Sequence, residues 1–466
     1  MTAALHPSIP ASAGRPFHVM TKPIGPICNL DCSYCFYLEK EELYPDTRKW
    51  AMPENVLEKY VREYIEHQNV PEISFAWQGG EPTLLGVGYF RRVVELQKRY
   101  ANGKTIHNAF QTNGTLLDDE WGKFLAESGF LVGLSVDGPR ELHDRYRVDK
   151  QRGGTFDAVM RGLEVLKRNH VEFNTLTVVN RANGDRALDV YRFLKGIGSS
   201  FLQFIPLVER SDSHNGAGVS LTVGGRPVPL AAPPMPHRPG MFNPGSEAPA
   251  DDLGSVTDWS VAARQYGNFL CTIFDEWVQR DVGRVFVQLF DVTLGKWMGQ
   301  PSGLCVFAET CGSALAIEHN GDVYSCDHYV YPQYRLGNVM NELLGDLVRS
   351  EQQVQFGRDK ATSLPAYCRS CSVRSHCNGE CPKHRFINTP DGEAGLNYLC
   401  AAYKRFFSHT EPAMKTMAGY LRAGQPPALI MRDLARTAAD PRSAPGRNGP
   451  CPCGSGRKFK KCCGAT

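Results

Sequence analysis

Fifteen of the sixteen cysteines fall into three groups whose spacing suits metal chemistry. Cys28, Cys32 and Cys35, in CNLDCSYC, offer three thiolates within eight residues as C-x3-C-x2-C. A cubane of four irons usually takes four cysteines, so three on one loop leave one iron open to an outside ligand. The competing reading is a zinc site short of one ligand, although zinc motifs normally come as paired CxxC units. Cys305, Cys311 and Cys326, then Cys368, Cys371, Cys377, Cys381 and Cys400, supply eight more thiolates. Eight suffice for two fully ligated cubanes or for two zinc sites. Cys451, Cys453, Cys462 and Cys463 close the chain as C-x-C-x8-C-C, a four-sulfur set with no coordination position left for catalysis. The remaining Cys271 lies in a stretch of helical periodicity and reads as a buried core thiol.

Composition bounds the chain that carries these groups. Its 466 residues, 42% hydrophobic and 22% charged, allow a large buried core and roughly two or three domains. Whole-chain disorder and a collagen-like or fibrous character are excluded. No uncharged apolar run approaches the roughly 20 residues of a membrane-spanning helix. The start, MTAALHPSIPASAG, has neither the basic beginning nor the apolar stretch of a secretory signal. The expectation is a cytoplasmic, reducing compartment without membrane attachment, where cysteines serve metals rather than disulfides. The net charge of +3 hides an asymmetry: residues 431–466 hold eight basic and two acidic side chains, so the rest is about −3.

The elements that must position these groups are legible up to about residue 280. Short β-rich runs at 17–22, 72–77, 105–111, 130–136, 172–179 and 201–207 alternate with amphipathic helices. In ENVLEKYVREYIEHQ, for example, Leu57, Tyr60, Val61, Tyr64 and Ile65 recur along one helical face; 155–169 and 259–280 read the same way. The fold class is therefore α/β with parallel βα units, either an open sheet or an incomplete barrel. Chemistry in such folds gathers at the carboxyl ends of the strands. The unusual residues follow there: Cys28 to Cys35 after the first strand, Gln78 to Pro82 after the second, Gln111 to Gly114 after the third, and Ser135 to Pro139 after the fourth. Residues 211–250, with eight prolines and six glycines, read as a flexible insertion. Residues 300–410 carry only short apolar runs, so metal rather than a wide core is expected to hold them. A helical stretch near 396–422 and a linker lead to the last cysteines.

CNLDCSYC followed by Phe36 and Tyr37 resembles the radical S-adenosylmethionine (SAM) enzymes, whose hallmark is this spacing with an aromatic, here Tyr34, before the third cysteine. The resemblance extends to Gly79, Gly80, Glu81 and Pro82, which in the family meet the SAM amino group. It extends also to Ser135 and Arg147, matching contacts to the ribose and carboxylate, and to Val208, matching a backbone contact to the adenine. It implies a partial (β/α)6 TIM-type barrel over residues 17–280, after a flexible segment 1–16. The later cysteines resemble the SPASM extension, and the span from about 18 to 410 resembles the anaerobic sulfatase-maturating branch. That implies one auxiliary cluster on Cys305, Cys311, Cys326 and Cys381 and another on Cys368, Cys371, Cys377 and Cys400, within a domain of residues 281–424. Full ligation leaves no open iron, so both are expected to carry electrons. Asp327, in CDHYV, matches the family's catalytic base; beside a negative cluster and away from water, its carboxylate is expected to bind a proton more tightly. His328 and Tyr329 read as packing residues or as supports behind the cluster ligands, and Tyr37 matches a catalytic-site position near the substrate, which it is expected to orient.

After a linker at 425–447, residues 448–466 resemble the SEC-C motif, implying a zinc knuckle. Its basic character suits contact with another protein or nucleic acid, or a solubilising docking tail. The cofactors implied are three [4Fe-4S] clusters, SAM and Zn2+. The implied reaction converts a cysteine or serine of an unfolded sulfatase polypeptide to Cα-formylglycine, with a flavodoxin- or ferredoxin-type reductant. Two rivals stand beside it: a SPASM peptide maturase forming thioether or carbon–carbon links, and a non-enzymatic multi-metal binding or electron-transfer protein.

Overall fold

The structure, a computed structural model, describes residues 16–210, 220–223, 226–229, 256–439, 448–449 and 458–461. The N-terminal segment to residue 15, most of the 211–250 insertion and the last four cysteines lie outside the described residues.

Six parallel strands form at the six β-rich runs: β1 (His18–Lys22), β2 (Glu72–Trp77), β3 (Thr105–Thr112), β4 (Phe130–Ser135), β5 (Phe173–Val179) and β6 (Phe201–Pro206). Residues alternate between faces along each strand. On β2, Ile73, Phe75 and Trp77 are buried against the surrounding helices, among them Glu54–Glu66 with Tyr60 and Tyr64. Asp118 shows how a helix start is fixed locally: its side chain accepts from the Trp121 amide at 2.9 Å and caps Asp119–Glu127. The opposite strand faces look into the barrel.

Further strands extend this sheet at both edges. Two short strands, β7 (Ser220–Val223) and β8 (Arg226–Pro229), pair as a separate antiparallel hairpin where the sequence reading expects no element. β9 (Phe286–Val287) then joins the edge of β6. β10 (Ala314–Glu318) pairs in parallel with β1, and β11 (Asp322–Tyr324) and β12 (Arg335–Asn338) follow antiparallel. The result is one ten-stranded sheet in the order β12-β11-β10-β1-β2-β3-β4-β5-β6-β9, whose ends do not meet: a partial barrel.

The cysteine-rich half is thus built onto the barrel, which corrects the expectation that metal alone holds it. Leu315, Ile317, Val323, Val339, Leu344 and Leu347 share a core with the β1–β4 helices. Phe307, Val373, Phe386, Leu399 and Phe406 share the other core with helix Ala263–Arg280. The long helix Cys400–Arg422 supplies much of that second core. The sequence there is sparse in long apolar runs because each short run docks on an existing surface. The stretch read as a linker begins with another helix, Leu429–Ala439, whose Ile430 is buried. Cys271 is buried in the second core as expected.

Candidate active site

The three front cysteines follow β1 on a loop fastened from two sides. Leu30 and Asp149 form a bridge, and the Asp31 and Ser33 amides donate to the Val148 and Tyr146 carbonyls at 2.9 Å each. On the other side, the amides of Gly80 and Glu81 donate to the Gly25 and Ile27 carbonyls at 2.8 Å each. Glycine is required at position 80, where an added Cβ would stand 1.8 Å from the Ile27 oxygen; Gly79 needs its positive φ of 139°. Burial, then the charge of Glu81, raises the Cys28 thiol to about 12. Cys35 acts electrostatically on both Cys28 and Cys32, so the three thiols face one neighbourhood.

Around this loop stand the other residues expected at a SAM site. Glu81, 1% exposed, accepts from the Thr83 amide and hydroxyl at 3.0 and 2.7 Å, the Thr112 hydroxyl at 2.8 Å and the Asn113 amide at 2.8 Å. Its carboxylate is engaged in tying the ends of β2 and β3 together. Ser135, at the end of β4, accepts from Gln111 at 2.9 Å. Arg147 is buried with its Nε 3.1 Å from Asp137 Oδ2 and its guanidinium over the Tyr34 ring. Tyr34 donates to the same Asp137 oxygen at 2.5 Å. The Asp137 carboxylate and the Tyr34 ring thus fix the Arg147 guanidinium beside the cysteine loop. Val208 is buried just past β6.

The candidate base lies on the inner side of β1. Thr21 turns outward to the Tyr60 hydroxyl at 2.7 Å, which leaves its neighbour Lys22 on the inner face. The β1–β10 register sets Lys22 opposite Glu318. After β11 the chain passes Cys326 into a short turn, Asp327–Tyr329. There Asp327 forms an ion pair with Lys22 and lies 3.4 Å from the Gln78 amide. Burial raises the proton affinity of Asp327, but the Lys22 ammonium outweighs it, and the carboxyl sits below its ordinary value. This corrects the expected rise: the polypeptide itself supplies a cation that keeps the carboxylate ionised. Tyr37, expected beside the substrate, is 3% exposed and gives its hydroxyl to Glu318. Its ring lies 4.4 Å from the Lys22 ammonium, so it holds the cation that holds Asp327. Lys22 and Glu318 were missed by the sequence reading, whereas Gln78 stands in the stretch it singled out after the second strand.

The eight later cysteines separate into two sets in space. Cys326 is half-buried, and the charges of Cys305, Cys381 and Cys311 bear on its thiol. Cys368, Cys371, Cys377 and Cys400 line one recess with Tyr367 and Asn397. Among the described residues no three His, Cys, Asp or Glu side chains converge tightly enough to hold one metal ion. His328 packs edge-on to Phe36 with its Nδ1 3.6 Å from Cys381, and burial lowers it to about 3. Tyr329 packs against Tyr334 and Phe356.

Comparisons with known proteins agree with this geometry. Models of the Radical SAM superfamily, of an iron–sulfur cluster-binding domain and of the SEC-C motif match residues 23–194, 305–372 and 447–465. A serine-type anaerobic sulfatase-maturating enzyme of Bacteroides thetaiotaomicron is 46% identical, covering 91% of this chain and 96% of the relative. A cysteine-type enzyme of Clostridium perfringens is 32% identical, covering 87% and 100%. The structure of native anSMEcpe with bound AdoMet and the Cp18Cys peptide aligns with a TM-score of 0.71 at 31% identity, over 87% of this chain and 99% of that one. With the partial barrel, the three-thiol loop and relatives at this identity over nearly their whole length, this chain belongs to the radical SAM family of anaerobic sulfatase-maturating enzymes.

Proposed function

We propose that this protein oxidises a serine or cysteine side chain of a sulfatase polypeptide to Cα-formylglycine. The observation that carries the proposal is Asp327, held ionised by Lys22 on the inner face of β1 and joined through Cys326 to the first auxiliary cysteine set. Oxidising a CH2–OH group to an aldehyde removes one hydrogen atom from carbon, one proton from oxygen and one electron. When bound at the front cysteines, SAM would supply the radical chemistry at carbon, and clusters on the auxiliary cysteines would supply one-electron chemistry. The chain's own residues do the rest. Asp327 accepts the hydroxyl or thiol proton, and Lys22 and Gln78 keep its carboxylate oriented. Arg147 and the Gly79–Gly80 backbone would hold the SAM amino-acid end. A thioaldehyde from cysteine reaches the same product by hydrolysis.

The fit of the cysteine sets supports three [4Fe-4S] clusters: one on Cys28, Cys32 and Cys35, one on Cys305, Cys311, Cys326 and Cys381, and one on Cys368, Cys371, Cys377 and Cys400. The SEC-C match supports zinc on Cys451, Cys453, Cys462 and Cys463, with a docking role for that tail. A flavodoxin- or ferredoxin-type protein would supply the front cluster's electron. The serine-type relative at 46% identity puts a serine target first. The test is a peptide deuterated at Cβ of its target serine, incubated anaerobically with enzyme, SAM and reductant. Deuterium in the released 5′-deoxyadenosine, matched by aldehyde, is the expected result. Deoxyadenosine without deuterium, and peptide unchanged, would overturn the proposal.

A further inference from the structure

The two auxiliary cysteine sets are separated along the chain by only three residues: Cys377 belongs to one, Cys381 to the other. Asn378, Gly379 and Glu380 between them all have positive φ, of 49°, 70° and 50°. For Asn378 and Glu380 this is strained backbone, which persists only where the surroundings enforce it. What enforces it is Arg385, fully buried, which donates to all three carbonyls: Asn378 at 3.0 Å, Gly379 at 3.0 Å and Glu380 at 3.1 Å. Its remaining bonds go to the Lys360 carbonyl at 2.6 Å and the Ser363 hydroxyl at 3.3 Å. Lys360, also fully buried, gives its ammonium to the Cys305 and Val306 carbonyls at 2.6 and 2.8 Å.

Neither cation has a carboxylate within ion-pair distance among the described residues. Of the buried carboxylates close to them in sequence, Glu380 is bound to His384 at 3.0 Å and Asn397 at 2.6 Å, and Asp359 accepts from Gln355 at 2.6 Å. Two buried cations satisfied only by neutral oxygens are costly unless negative charge stands close by. The anionic groups this site would hold are the two thiolate-ligated clusters, each gaining a further negative charge on reduction. We propose that Arg385 and Lys360 are the built-in counter-charges of the auxiliary clusters and raise their reduction potentials, Arg385 acting on both and Lys360 on the Cys305 side. A buried positive charge stabilises the reduced state more than the oxidised one, so each cluster takes up an electron more readily. Both are positioning residues, touching neither substrate nor iron.

This inference rests on the cluster assignment proposed above, and its test separates the two. The full chain carrying Cys28→Ala, Cys32→Ala and Cys35→Ala, which leaves only the auxiliary signals, is loaded with iron and titrated electrochemically with EPR detection. The parent should hold about eight irons per chain. Arg385→Gln at full iron content should shift both couples negative by at least tenfold in the reduction equilibrium, about 59 mV for one electron. Arg385→Lys should restore most of the shift although it loses the three-carbonyl clamp. Lys360→Gln should move one couple much more than the other. Fully loaded Arg385→Gln with unmoved potentials would overturn the inference and leave the clusters standing. Should Arg385→Gln take up no iron, fully loaded Lys360→Gln with unmoved potentials does the same. A parent without iron would overturn both.

Discussion

Asp327 and Lys22 are the residues on which the proposed chemistry turns. A carboxylate in an apolar pocket tends to protonate, and a protonated acid cannot take a proton from the substrate. The Lys22 ion pair removes that difficulty, while Tyr37 and Glu318 fix Lys22 from behind. Asp327→Asn should lower aldehyde formation by about 10² to 10⁴-fold, the usual contribution of a general base. Iron content and SAM binding should stay at the parent level, checked by metal analysis and equilibrium dialysis. A variant that still made full product would remove the role assigned to Asp327. Lys22→Met should also lose product while SAM cleavage continues, so the ratio of aldehyde to 5′-deoxyadenosine falls. An unchanged ratio would mean that Lys22 serves only to hold β1 and β10 together.

At the scale of elements, the site is a product of strand ends and of one unexpected pairing. The six strands were legible because each carries a β-rich run bounded by helical periodicity, and the GGEP and cysteine motifs follow directly after strands. Lys22, the ion-pair partner of Asp327, and Glu318 opposite it were not legible. Lys22 reads as the last residue of a short strand, and Glu318 as one acidic residue in a sparse region. Only the β1–β10 register, joining segments almost 300 residues apart, sets them side by side. Arg385 and Lys360 escaped notice for the same reason: their surroundings are carbonyl oxygens, which leave no trace in residue type. Where backbone crosses backbone, however, the prediction is direct. Gly80→Ala would place a methyl group against the Ile27 carbonyl and push the cysteine loop from the β2 end. SAM affinity should fall at least about tenfold, equivalent to about 1.4 kcal/mol, with the auxiliary iron retained. Dialysis and iron analysis of the same sample check both halves.

At the scale of the whole molecule, the barrel and the cysteine-rich half are one body around shared cores, and metal is not their only fastening. Phe406, on the long helix of the cysteine-rich half, is fully buried and stacks on Phe290 at 5.6 Å beside Phe274 of the helix Ala263–Arg280. Phe406→Ala should cost about 3–5 kcal/mol and lower one shared unfolding transition, read by calorimetry on the metal-free chain. Two separate transitions, only one of them shifted, would contradict a shared core. No helix among the described residues is long and apolar enough to cross a membrane. On the proposed assignment the basic tail takes no part in the chemistry: deleting residues 440–466 should lower bound zinc, read by metal analysis, and leave peptide oxidation unchanged.

The central claim is the reaction itself, and one measurement addresses it most directly. The reconstituted full chain is incubated without oxygen with SAM, a reductant and peptides of Ser-x-Pro-x-Arg and Cys-x-Pro-x-Arg type, and the peptides are read by mass spectrometry. The account predicts formylglycine at the target position of at least one peptide, one 5′-deoxyadenosine released per aldehyde, and no aldehyde from Asp327→Asn. SAM cleaved at the parent rate with no aldehyde on either peptide, or a crosslink in place of the aldehyde, would contradict it.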